Sequence, residues 1–181
     1  GIVSGRHVMV TGMGCVTPLG GDLPTTWRNL LDGKCARGPI RVIDLEGCRV
    51  TEGAEAIVPE DPGFAGKEAT RSSRATRLAV PAAREALRDA GLLGEDGRCA
   101  VPQLESVMST TACGMELGEG FLKTVRASST RGQTARVARY PAHRQVDDVQ
   151  RHLGFRGRST IVANACASGA NAVGHAADLI K

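Results

Sequence analysis

Aromatic side chains are scarce in this sequence, at 3% of 181 residues. Its core must therefore be assembled from Ala, Val, Leu and Ile, and 23 glycines permit tight turns and close backbone approach. No apolar stretch is long enough to span a bilayer, so no membrane partner is expected. No Lys/Arg run is interleaved with aromatics, so the formal net charge of +4 does not argue for nucleic acid. A mild positive excess suits an acidic partner instead.

Metal and redox signatures are missing as well. The six cysteines are Cys15, Cys35, Cys48, Cys99, Cys113 and Cys166. No pair forms a CxxC and none stands at metal-ligand spacing with a histidine, so neither a metal nor a bound cofactor is expected. The N-terminus reads directly into a strand-like segment rather than a signal peptide. The cysteines are thus read as free thiols in a reducing cytoplasm, with disulfides in a secreted protein left open by the even count. Gly12-Met-Gly-Cys-Val-Thr17 fails as a dinucleotide fingerprint, because the third glycine position is Thr17 and Pro18 disturbs a helix start. A structural turn is expected there.

What is present is a soluble globular composition, 41% hydrophobic and 23% charged, of a length that suits one domain. His7–Val10 reads as a strand ending in a Gly-rich turn, followed by a helix over Thr25–Leu31 that stops at Gly33. Lys34–Gly66 reads as loop with a short strand near Arg49–Ile57. A helix is expected over Ser72–Ala90, kinked or restarted at Pro81. A strand follows over Ser106–Ser109. Gly118–Ala142, basic and carrying Ser128-Ser129-Thr130, reads as a solvated and mobile excursion. A helix near Val146–Leu153, a strand over Thr160–Ala163 and a last helix to Lys181 complete the chain. Alternating strands and helices predict an α/β fold with largely parallel pairing.

The chemistry concentrates at Cys166, between that last strand and last helix. A thiol at a helix start faces unpaired N–H groups and the positive end of the helix dipole, which favour the nucleophilic thiolate. The strand–turn–helix resembles the nucleophile elbow of serine hydrolases, with sulfur in place of oxygen. The Cys166 N–H is a candidate oxyanion-hole donor, and Gly169 a site of close backbone approach. At 100° per residue, Ala170, Val173, Ala177 and Ile180 share the face of Cys166, a small apolar face read as buried. His175 falls about 180° away on the same helix. Cys15 and Cys113 are expected to be buried packing residues.

Asn164-Ala-Cys-Ala-Ser-Gly-Ala-Asn-Ala-Val-Gly174 resembles the active-site segment of β-ketoacyl-(acyl carrier protein) synthases. Val8-Met-Val-Thr-Gly-Met-Gly-Cys-Val-Thr-Pro-Leu-Gly20 is similar to their opening segment. Trp27-Arg-Asn-Leu-Leu-Asp-Gly-Lys34 and Ala82-Ala-Arg-Glu-Ala-Leu-Arg-Asp-Ala-Gly91 resemble their first and second helices, and Leu153-Gly-Phe-Arg-Gly157 their link into the nucleophile strand. The matches run in family order over nearly the whole chain. The resemblance implies a thiolase-like fold, of which residues 1–181 would be the incomplete N-terminal half of the layered αβαβα arrangement.

It also implies a ping-pong reaction. Cys166 accepts an acyl group, and malonyl-(acyl carrier protein) is decarboxylated and condensed with it. The substrates ride on the phosphopantetheine arm of acyl carrier protein, the implied partner, and the parent is expected to be a cytoplasmic homodimer or heterodimer in fatty acid or polyketide synthesis. The family's two catalytic histidines, its lysine and a Gly-rich loop lie beyond the position of Lys181, and His7, His143 and His152 match none of its motifs. The chain is therefore expected to be part of a longer protein and inactive alone. A non-catalytic chain-length-factor-like partner subunit and a thiolase are the alternatives; Cys166 disfavours the first, and its distance from the N-terminus the second.

Overall fold

The computed structural model describes residues 7–60, 66, 71–127 and 134–180. Helix α1 (Leu23–Leu31) starts where the Asp22 carboxylate accepts a hydrogen bond from the Thr25 N–H at 2.7 Å. It ends at Gly33, whose φ of +66° lets the N–H groups of Gly33 and Lys34 donate to the Leu30 and Asn29 carbonyls. Short strands β1 (Arg37–Pro39) and β2 (Glu52–Ala54) pair antiparallel. Helix α2 (Arg74–Asp89) is capped by Ser73 and closed at Gly91, with Leu92 N–H donating to the Leu87 carbonyl. It runs through Pro81 as one segment, so the expected restart is absent.

Strand β3 (Ser106–Ser109) pairs in parallel with β4 (Ser159–Val162), Ser109 opposite Val162. Between them lie α3 (Met115–Ala127), α4 (Thr134–Arg139) and α5 (His143–Leu153), and α6 (Ser168–Ile180) follows β4. The parallel pair and its helical crossover meet the α/β expectation. One reading is corrected and one is refined. His7–Val10 pairs with no strand among the described residues, and Met9 and Val10 are 76% and 74% exposed; strand-forming residues make a strand only beside a partner. The basic stretch from Gly118 is solvated as expected, with none of the described residues of α3 or α4 buried, but it is largely helical, which the sequence reading did not assign. Ser128-Ser129-Thr130 lies outside the described residues.

The core sits between α2 and α5. Val80, Leu87, Val149, Leu153, Phe155 and Cys99 form one buried cluster. Gly154, at φ +76°, turns the chain out of α5, and the next residue, Phe155, enters that cluster. Gly157 must be glycine, since a Cβ there would lie 2.2 Å from the Leu104 carbonyl oxygen. The opening Gly-Met-Gly segment is explained in the same way. Cβ atoms at Gly12 and Gly14 would meet the Ala86 and Ala82 carbonyl oxygens at 2.3 and 2.2 Å, so these glycines let the chain lie against α2. Glu85 and Asp89, one turn apart on α2, hold it there. Asp89 accepts from the Met13 N–H at 2.9 Å, and Glu85 from the N–H groups of Cys15 at 3.0 Å and Leu23 at 2.9 Å. A docking surface for backbone thus occupies the place where a nucleotide motif was considered.

Candidate active site

The parallel ladder between β3 and β4 carries the chain to Asn164, where it turns back on itself. Ala165–Ala167 forms a single 3-10 turn, and α6 begins at Ser168. Ala165 takes φ +54°, a left-handed conformation that costs a non-glycine residue about 1–2 kcal/mol. Ser168 holds this turn closed. Its hydroxyl accepts from the Asn164 N–H at 2.8 Å and donates to the Ala165 carbonyl at 2.7 Å, and the residue is 4% exposed. Cys166 is at the middle of the turn and is exposed. A strained turn fixed by a buried hydroxyl thus presents a thiol to solvent beyond the end of β4. Ser168 and Asn164 were not singled out by the sequence reading. The only signal was a serine two residues after the cysteine at a strand–helix junction, since Asn164 takes part through its backbone N–H, which most residue types supply.

Other expectations around this site fare differently. Ser168 and Ala172 are the buried residues of α6. Ala170 is exposed, as are Val173 at 68% and Ile180 at 66%, while Ala177 is half-buried, so the face shared with Cys166 is open rather than packed. A Cβ at Gly169 would have only Ser109 Oγ within reach, at 4.0 Å, an ordinary contact; the close approach expected there occurs at Gly12, Gly14 and Gly157 instead. Cys15 and Cys113 are half-buried and Cys99 is the buried thiol. All six cysteines are free. His7, His143 and His175 are exposed and His152 is half-buried. No helix among the described residues is long and apolar enough to cross a membrane.

The chain is similar over nearly its whole length to known proteins. Nodulation protein E of a Rhizobium species is 30% identical over 177 residues, 97% of this chain and 44% of that protein. 3-Oxoacyl-(acyl-carrier-protein) synthase 2 of Staphylococcus aureus is 32% identical over 183 residues, 97% of this chain and 42% of that protein. Among solved structures, the ishigamide ketosynthase/chain length factor matches with a TM-score of 0.82 at 28% identity, over 97% of this chain and 44% of its own. This chain thus spans less than half the length of these relatives, and its fold is the N-terminal half of the thiolase-like ketosynthase fold. Residues 5–181 match the β-ketoacyl synthase N-terminal domain, and the chain belongs to that family of condensing enzymes.

Proposed function

We propose that the protein carrying this chain is a β-ketoacyl-(acyl carrier protein) synthase whose nucleophile is Cys166. The observation that carries the reading is the exposed thiol at the centre of the strained turn between β4 and α6. The Cys166 sulfur, as thiolate, attacks the carbonyl carbon of an acyl thioester, and the thiol of the phosphopantetheine arm leaves. The acyl group now rests on Cys166. Malonyl-(acyl carrier protein) loses CO2, and the carbanion formed attacks the acyl-enzyme carbonyl. A carbon–carbon bond forms, the Cys166 thiolate leaves, and a β-ketoacyl carrier protein is released. The Cys166 N–H, at the middle of the turn, donates to the oxygen that becomes negative in the tetrahedral intermediate.

The partner in this reading is acyl carrier protein, and the product feeds fatty acid or polyketide synthesis in the cytoplasm. The relatives support the class: one is a 3-oxoacyl-(acyl-carrier-protein) synthase and another a ketosynthase/chain length factor. The second relative also keeps the partner-subunit alternative in view, against which the retained Cys166 stands. Decarboxylation needs further groups, which this reading assigns to the protein that carries the chain, active as a homodimer or heterodimer.

The test uses that intact protein, incubated with acyl-carrier protein and then malonyl-carrier protein. Acyl label is expected on the Cys166 peptide, ahead of Cys35 and Cys48, which are also exposed. Cys166→Ala is expected to lose label and β-ketoacyl product together. Label on another cysteine, or product formation by the Ala variant, sinks the assignment.

A further inference from the structure

We infer that the cleft at the end of β3 and β4 remote from Cys166 is a binding site for a phosphate-type anion. The chain enters the two strands side by side there, with Gln103 bridged to Arg156 and the Leu104 N–H donating to the Arg156 carbonyl at 2.8 Å. Cys166 follows the opposite end of β4, so the cleft is separated from it by the length of the strand. Its volume is about 460 Å3, within the range of small-molecule sites.

Three arginines line it, each from a different element: Arg98 from the loop before β3, Arg151 from the last turn of α5, and Arg156 from the link into β4. Arg151 is held in place by the buried Asp148 carboxylate at 2.7 Å. Arg98 lies across Gly154, where a Cβ would come within 2.4 Å of its Nε. Gln150, 8% exposed, lines the wall, its amide fixed by bonds to Ser106 Oγ at 3.1 Å and the Gly157 carbonyl at 3.4 Å. Two carboxylates are close, but each has its own cation: Asp148 pairs with Arg151, and Asp147, on the cleft rim, pairs with Arg144 at 3.7 Å. The guanidinium groups of Arg98 and Arg156 have no ion pair among the described residues. Two uncommitted forks and one anchored fork, carried by three different elements around one cleft, suit a tetrahedral anion with several oxygens to satisfy; a planar carboxylate satisfies one fork.

The source is either free phosphate or the phosphoryl group of a small ester. Both are titrated calorimetrically, as inorganic phosphate and glycerol phosphate, into the intact protein in phosphate-free, low-salt buffer. Saturable one-to-one binding of at least one is expected. The stronger of the two names the source. Arg98→Gln with Arg156→Gln is expected to weaken it by about tenfold or more. Both side chains are exposed, so the double variant is expected to keep its unfolding temperature and to leave Cys166 acylation within about twofold of the parent. Absence of saturable binding by both ligands overturns the inference, and so does binding that the double variant leaves unchanged.

Discussion

Leu153 and Ile180 each close a helix, yet Leu153 is fully buried and Ile180 is 66% exposed. The contrast extends to the helices themselves. Helix α5, His-Arg-Gln-Val-Asp-Asp-Val-Gln-Arg-His-Leu, is rich in charge but buries Val146, Val149 and Leu153 along one stripe. Helix α6 is far more apolar and buries Ser168 and Ala172. Burial follows the spacing of apolar residues when one neighbour is present, and α5 has that neighbour in α2. A helix that is small and apolar on most sides is built to be covered on more than one side, and here it rests chiefly on β3 and β4 among the described residues. The packed region supplies the scaffold, and the open region carries the thiol.

The sharpest way to break that comparison is to remove the same kind of side chain from each helix. Leu153→Ala is expected to destabilise this chain by about 2–5 kcal/mol, through lost transfer energy and a residual cavity. Ile180→Ala is expected to cost under about 0.5 kcal/mol in the same chain, as for other exposed substitutions. Denaturant titration measures both. Equal costs would mean that α6 is packed as tightly as α5. A larger Ile180→Ala cost in the intact protein than in this chain would report a cover over α6.

The same contrast explains what the sequence made legible. Strands β3 and β4 and helices α1, α2, α5 and α6 stand where alternation, helical spacing and the glycines at 33, 91 and 154 put them. Helices α3 and α4 were missed because none of their described residues is buried, and Gly118 and Gly120 blur the spacing of α3. The hairpin of β1 and β2 was half seen, since a three-residue strand carries too few alternations to read. Burial of the Cys166 face was inferred from its apolar residues alone, and composition cannot say whether the covering surface lies in the same segment. The strand–turn–helix pattern and the resemblance both placed Cys166 at the turn before α6. The bonds that shape the turn, through Ser168, became visible only in three dimensions.

Ser168 joins the two regions, being a buried residue that shapes an exposed turn. Ser168→Ala removes the acceptor of the Asn164 N–H and the donor to the Ala165 carbonyl. Both groups belong to exposed residues that water can reach, so the expected stability loss is about 1 kcal/mol. The larger effect is on position. With Ala165 released from φ +54°, acylation of Cys166 in the intact protein is expected to slow by on the order of tenfold. Alkylation by a small, geometry-insensitive reagent should change far less. An acylation rate equal to the parent's would remove Ser168 from any positioning role.

The smallest effect comes from α1, which has no buried residue and so lies outside the packed scaffold. Its start depends on Asp22, whose carboxyl is held below the ordinary 3.8 by the bonds from Thr25, side chain first and backbone N–H second, with Arg28 adding a weaker attraction. The lowered value fixes the sign. The charged form is favoured by folding, so the contribution is fully present above the ordinary 3.8 and fades as pH falls through the lower folded value. Asp22→Asn keeps an oxygen that can accept from the Thr25 N–H and loses only the charge. The variant is therefore expected to be less stable than the parent near neutrality by under about 0.5 kcal/mol, because the site is solvated and screened. That gap should close as the pH is lowered past 3.8. Unfolding midpoints of the two proteins across the acid range measure it. A gap that stays constant with pH would mean that Asp22 acts as a neutral cap alone, and one that widens on acidification would reverse the sign of the argument.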